Sequence, residues 1–248
     1  MRTNILITGA SSGIGAGLAR EFAARGRNLA ICARRIERLE ALRAELIDAH
    51  PGIRVAISAL DVDDNDAVFS VFDALRDELG RLDRVVVNAG IGKGQPLGTG
   101  RFDVNRRTAM TNFVAALAQC EAALQIFREQ GEGHLVMMSS VSAARGMRGN
   151  VTTYAATKAG VAALAEGIRS DVMGTGIVVS TMFPGYIRSE MNERVRNTPF
   201  IVDTDVGCRA LAAAIEREPV RAYVPAWPWR PMAAALRHLP LRLVRRIT

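Results

Sequence analysis

Short apolar runs free of charge recur from one end of this 248-residue chain to the other, and each is followed by a longer stretch with helical spacing of apolar residues. That alternation leaves few folds open. The runs are Asn4-Ile5-Leu6-Ile7-Thr8, Leu29-Ala30-Ile31-Cys32-Ala33, Val55-Ala56-Ile57-Ser58-Ala59-Leu60, Val85-Val86-Val87, Leu135-Val136-Met137-Met138 and Val178-Val179-Ser180-Thr181-Met182-Phe183, with a weaker one at Ala222-Tyr223-Val224. Each is too short for a helix, and none alternates apolar with polar as a strand with one wet face would. Strands buried on both faces suit a parallel sheet, whose neighbours must be joined by long crossovers. The stretches 14–25, 36–49, 64–79, 103–129, 153–173 and 204–218 supply them. The expectation is a doubly wound α/β fold: a parallel sheet of about seven strands, helices on both faces and right-handed connections. With 49% hydrophobic residues the chain can fill one large core. Residues 1–225 read as one domain, and residues 226–248 as a basic amphipathic extension packed on or beside it.

Composition matters mainly for what it excludes. The formal net charge is +7, which suits anionic ligands or membranes. The arginines are scattered over many helices without an RNA-binding aromatic motif or a DNA-reading module, so no nucleic-acid partner is expected. No stretch of 18 apolar residues suggests a membrane span. The first strand starts almost at once and runs into a glycine turn, so no secretion signal is read and a cytoplasmic location is expected. Cys32, Cys120 and Cys208 are far apart and embedded in apolar segments, as core residues of a reducing compartment would be. His50, His134 and His238 lack metal-ligand spacing; they are assigned no chemistry, and no metal is expected.

Two segments carry chemistry. Thr8-Gly9-Ala10-Ser11-Ser12-Gly13-Ile14-Gly15 lies where the first strand ends and a helix begins, at the sheet edge where nucleotides bind. Gly9 permits the tight turn, Gly13 lets backbone approach a pyrophosphate and Gly15 permits close helix packing. Free N–H groups at the helix start, with Ser11, Ser12 and Ile14, would meet the anion. A glycine cluster can also serve only to reverse the chain. The second segment is Tyr154-Ala155-Ala156-Thr157-Lys158. Of 32 Lys and Arg residues, only Lys93 and Lys158 are lysine, so a lysine is kept where a guanidinium will not serve. Residues four apart share a helical face. An ammonium there would favour phenolate and lower the tyrosine pKa from about 10. The competing reading is an ordinary helix with an exposed lysine and a packed tyrosine.

With Asn88-Ala89-Gly90 after the fourth run and Ser140 after the fifth, these segments closely resemble the short-chain dehydrogenases/reductases, in order from about residue 3 to 225. The resemblance implies a Rossmann fold, a nicotinamide cofactor and an Asn-Ser-Tyr-Lys catalytic group. It makes Tyr154 the proton donor or acceptor and Ser140 the residue that polarises the substrate oxygen. Lys158 would hold the nicotinamide ribose and tune Tyr154. The fourth member maps to Asn112, whose implied role is to hold a water linking Lys158 to solvent. Asn105 is a rival for that position, and Ser139 for that of Ser140; the Ser140–Tyr154 interval is one residue longer than the usual spacing. Asn88, Ala89 and Gly90 line the implied cofactor site. Asp61-Val62 resembles the adenine-binding pair, the competing reading being a helix cap. Pro184-Gly185-Tyr186-Ile187-Arg188-Ser189 resembles the carboxamide loop, with the Ile187 backbone and the Ser189 hydroxyl as contacts.

Charge argues for the cofactor type. An NAD-selective site places an acid at the end of the second strand to bind ribose hydroxyls. Here Cys32-Ala33-Arg34-Arg35 puts Ala33 in the acid's place, and Arg34 and Arg35 suit a 2′-phosphate. An arginine at a helix N-terminus opposes the helix dipole, which argues against a merely solvated pair. NADP(H) is therefore expected in preference to NAD(H).

The expected activity is NADP(H)-dependent reduction of a small-molecule carbonyl, or the reverse oxidation of an alcohol. Met147, Met191 and Val195 favour an apolar or lipid-like substrate. Arg188, Arg194 and Arg196 suit instead the carboxylate of a small hydroxy acid, and a non-catalytic NADP(H)-binding sensor is a third reading. The resemblance suggests a homodimer or homotetramer built on the helices at 103–129 and 153–173. In the extension, Trp227 and Trp229 precede Met232, Leu236, Leu239, Leu241, Leu243 and Val244, interleaved with arginines and split by Pro240. Two short amphipathic pieces of that kind suit an anionic membrane surface. They suit equally a cover for the pocket or an oligomer contact.

Overall fold

The computed structural model describes residues 2–92, 94–191 and 198–247. Its strands are β1 (Asn4–Thr8), β2 (Asn28–Ala33), β3 (Val55–Ala59), β4 (Arg84–Val87), β5 (Glu132–Met138), β6 (Gly176–Pro184) and β7 (Arg221–Val224). They form one sheet in the order β3-β2-β1-β4-β5-β6-β7, every neighbouring pair parallel. The helices are α1 (Gly13–Ala23), α2 (Ile36–Ala49), α3 (Asn65–Leu79), α4 (Phe102–Ala109), α5 (Ala115–Gln130), α6 (Thr152–Asp171), α7 (Thr204–Glu216), α8 (Ala226–His238) and α9 (Leu241–Ile247). Phe72, Phe127 and Val161 of α3, α5 and α6 fill one face of the sheet; Phe22, Leu39 and Leu211 of α1, α2 and α7 fill the other. The doubly wound reading therefore holds. Strand order reverses between β1 and β4, and their carboxyl ends open the crevice in which such sheets bind ligands.

Local chemistry explains several boundaries. Asp64 caps α3, its carboxylate accepting from the Ala67 N–H at 3.2 Å, and Gly80 ends that helix at φ 86°. Asp61 is thus released from the capping role and stays at the sheet edge. The long helical stretch read at 103–129 is interrupted by a π turn, Met110–Val114, between α4 and α5. Thr111 and Asn112 are buried within that turn.

Strands β4 and β5 start earlier than their apolar runs and take in Arg84 and His134, polar residues that the fold buries as a pair. Arg84, 1% exposed, donates to His134 Nδ1 at 2.8 Å and to the carboxylates of Glu216 and Glu218 at 3.2 and 3.4 Å. Since Nδ1 accepts, Nε2 carries the ring proton and donates to Ser180 Oγ at 2.8 Å. Burial first, then the Arg84 and Arg2 guanidiniums, hold the His134 pKa well below its ordinary value. His134, to which the sequence assigned no chemistry, is thus a neutral link in a polar thread through the core.

Cys32, Cys120 and Cys208 are free and buried. Among the described residues no helix is long and apolar enough to cross a membrane, and no His, Cys, Asp or Glu group could hold a metal ion.

Candidate active site

A cleft of about 1010 Å³ opens at the carboxyl ends of the strands, and the turn that follows β1 forms its floor. Gly9 has φ 67°, and a Cβ there would lie 2.9 Å from Ala89 Cα, so only glycine lets the end of β4 close on the turn. Thr8 fastens the two: its Oγ1 accepts from the Asn88 and Ala89 N–H groups at 3.0 and 3.1 Å, and its carbonyl accepts from Asn88 Nδ2 at 2.9 Å. The first turn of α1 holds no acid, and its N-cap residue Ser12 makes no side-chain cap. Its free N–H groups beside Gly13, Ile14 and Gly15 can receive an anion.

Other predicted cofactor residues line the same cleft: Ser11, Arg34, Arg35, Asp61, Val62 and Gly90 around the turn, with Pro184, Gly185, Ile187 and Ser189 opposite. The two arginines differ in setting. Arg34 lies 4.0 Å from Asp61, both half exposed. Arg35 folds back over the glycine turn and donates to Ser11 Oγ at 3.1–3.2 Å and Ser12 Oγ at 2.8 Å.

Tyr154, Lys158 and Ser140 meet at the other end of the cleft. The Ser140 hydroxyl stands beside the Tyr154 phenol, close enough to lower its pKa. Ser140 Oγ accepts from the Ser142 N–H at 3.2 Å and from Ser142 Oγ at 3.0 Å, which leaves its own proton to be donated. Ser139 instead spends its hydroxyl on the Lys158 carbonyl at 2.7 Å, pinning α6 to the end of β5. The Lys158 ammonium donates to the Met138 carbonyl at 2.8 Å and lies 5.9 Å from the centre of the Tyr154 ring. The expected lowering of the Tyr154 pKa is not found. Burial raises it, Ser140 pulls it partly back, and the same burial lowers Lys158 from 10.5 to about 8.

Asn112 lies behind the cleft wall. Its amide accepts from the Ile91 N–H at 2.8 Å and donates to the Ile91 carbonyl at 2.9 Å, close beside Gly90 and Lys158. Asn105 grips Gln95 the same way, with both bonds at 3.0 Å, and also accepts from Thr153 at 3.1 Å. The two candidate asparagines therefore both clamp the segment after β4, and it is Asn112 that stands next to Lys158.

The family description "short chain dehydrogenase" matches residues 3–199. The chain is 53% identical over 245 residues to an uncharacterized oxidoreductase of Mycobacterium tuberculosis, covering 99% of this chain and 97% of that one. The chain belongs to the short-chain dehydrogenases. Levodione reductase of Leifsonia aquatica is 32% identical, over 88% of this chain and 81% of that protein. Among solved structures, a short-chain dehydrogenase from Sphingobium yanoikuyae in complex with NADPH superposes with a TM-score of 0.82 at 29% identity, covering 94% of this chain and 93% of that one.

Ser142 and Glu190 of this short-chain dehydrogenase escaped the sequence reading. Ser142 had a signal, since it is the third hydroxyl in a short run after β5. Glu190 had none: it reaches back across the molecule to Arg35 and Arg38. Trp229 packs edge-on against Tyr186 and Phe200, 5% exposed, and its indole nitrogen lies where a Cβ on Gly185 would be. Arg145 adds a tie by donating to the Arg237 carbonyl at the end of α8, at 2.8 Å. One side of the extension thus backs the loop from Pro184 to Ser189. Trp227, 78% exposed, points away from the body, as do Leu241 and Leu243. Arg188 is ion-paired with Asp203 at 3.1 Å. Arg194, Val195 and Arg196 lie outside the described residues.

Proposed function

We propose that this short-chain dehydrogenase is an NADP(H)-dependent carbonyl reductase or alcohol dehydrogenase acting on an apolar substrate. The observation that carries the reading is Tyr154 beside Ser140 and Lys158, Ser140 keeping its own proton for donation, in a cleft lined by an arginine pair. The cleft suits the cofactor: α1 offers unpaired N–H groups to a pyrophosphate, and Arg34 and Arg35 flank the place for a 2′-phosphate. When bound, the nicotinamide supplies the hydride to the carbonyl carbon. Tyr154 gives its proton to the carbonyl oxygen as general acid, its raised pKa keeping the phenol protonated until that step. Ser140 donates a hydrogen bond to the charge growing on that oxygen. Lys158 steadies the phenolate that remains until solvent restores the proton.

Val141, Val151, Tyr186 and Met191 beside this group supply apolar wall. The hydroxy-acid reading is weakened, because Arg188 already faces Asp203. Exposed Phe102, Met110 and Leu117 on α4, the π turn and α5 support an oligomer contact there. The outward face of the extension supports a peripheral contact with anionic membranes: Trp227, Leu241 and Leu243 are exposed, and residues 226–248 contain no acid.

The test is NADPH oxidation against a panel of ketones and aldehydes. Tyr154→Phe should lose turnover at least a hundredfold, the scale of a general acid's contribution, while binding NADPH within about threefold of the parent by fluorescence titration. A Phe variant that turns over at the parent rate would overturn the mechanism.

A further inference from the structure

The segment after β6 is seated across the cofactor cleft by three consecutive residues. Ser189 lies against the glycine turn, where a Cβ on Gly13 would come within 3.2 Å of its own. Met191 lies against the segment after β4, so closely that a Cβ on Gly92 would meet it at 2.6 Å. Between them Glu190 is carried to the start of α2. There one carboxylate oxygen receives Arg35 at 3.1 Å and the other receives Arg38 at 2.5 Å. Positions 35 and 38 are one helical turn apart and face the same way. Arg35 is held from its other side by Ser11 and Ser12. The carboxylate therefore sits where two guanidiniums converge at the edge of the nucleotide cleft, with one charge against their two.

Carboxylate and phosphate are alternative partners for such a fork, and a phosphate brings more charge and a third oxygen. We infer that Glu190, anchored also by Arg38, is a tethered competitor for the 2′-phosphate at Arg35, and that it sets how tightly the protein holds a 2′-phosphorylated nucleotide. This rests on the NADP(H) reading above. Binding such a nucleotide exchanges Glu190 for phosphate and unfastens the segment at that point. A nucleotide without the phosphate leaves the latch closed. The arginines hold the Glu190 carboxyl below the usual carboxylate range, Arg38 most strongly, so the competitor stays charged across the working pH range.

Calorimetric titration of the full chain with 2′,5′-ADP and with 5′-AMP tests this, parent against Glu190→Gln. Glu190 is half exposed, so the variant keeps its fold. Two exposed ion pairs removed from the competition correspond to about two- to tenfold tighter binding of 2′,5′-ADP at low salt, with 5′-AMP within twofold of the parent. The difference should shrink as salt screens the pairs. Unchanged or weaker 2′,5′-ADP binding, or an equal gain for both nucleotides, would overturn the inference. A parent that does not prefer 2′,5′-ADP to 5′-AMP, with a variant equally indifferent, overturns the NADP(H) reading as well. A selective parent with an unchanged variant overturns the Glu190 role alone.

Discussion

Burial brings the Lys158 ammonium from 10.5 down to about 8, so at neutral pH the folded chain holds a charge that water would solvate better. The depressed pKa fixes the sign of the effect on stability. Below pH 8 both folded and unfolded chains are protonated and the fold carries the full penalty, on the order of 3 kcal/mol. Between 8 and 10.5 only the unfolded chain keeps the proton, so this residue makes stability rise with pH across that window. Lys158→Met should therefore be inactive yet more stable at pH 7 by about 1–3 kcal/mol, the lost bond to the Met138 carbonyl taking back part of the gain. Its advantage should vanish by about pH 10. Urea unfolding at pH 7 and pH 10 checks both statements; a variant less stable than the parent at pH 7 would mean that Lys158 stabilises the fold.

Among the elements, the C-terminal extension carries the clearest consequence. Trp229 backs the loop from Pro184 to Ser189, so Trp229→Ala should cost about 3–5 kcal/mol of stability. Cofactor affinity should fall with it, as followed by thermal melts with and without NADPH. The outward face is tested separately by Trp227→Ser with Leu241→Ser, which disturb no buried contact. The parent should sediment with anionic vesicles and the double variant should not; a parent left in the supernatant would remove the membrane reading. How much of this was legible depended on range. Strands were readable because a strand buried on both faces rarely carries charge, and α3, capped by Asp64 and ended by Gly80, lies where the stretch 64–79 was read. The π turn has no sequence signature, so α4 and α5 read as one helix. Spacing to Ser140 set Asn112 before Asn105; what spacing could not show is that both clamp backbone of the same segment and that Asn112 lies beside Lys158. Arg84 looked like the boundary of a strand because a charge at a strand's start normally faces water. Its partners, Glu216 and Glu218, lie far along the chain.

Over the whole molecule, the nucleotide crevice occupies the carboxyl edge of the sheet and the polar thread of Arg84, His134 and Ser180 lies within its core. His134 must stay neutral to accept from Arg84, so its folded pKa lies well below 6.5 while the unfolded chain titrates near that value. Stability is then at its plateau above pH 6.5 and declines as pH falls through the window beneath, because only the unfolded state takes up the proton. His134→Gln keeps an acceptor for Arg84 and a donor for Ser180 but cannot titrate. Urea midpoints from pH 7 to 5 should fall more steeply for the parent than for this variant, and equal slopes would show that the imidazole is not the sensor. The same thread has a second consequence. Arg84 stands opposite His134, and Val136, two residues further on, stands opposite Ser180. Val85-Val86-Val87, Leu135-Val136 and Val178-Val179 are nearly interchangeable, and on hydrophobicity alone they would pair as well shifted along one another. A shifted pairing would part the buried Arg84 guanidinium from His134 and His134 from Ser180, a penalty that interchangeable valine contacts do not offset. The thread therefore works as a key cut into otherwise uniform strands, admitting one alignment of the central sheet during assembly and locking out its neighbours.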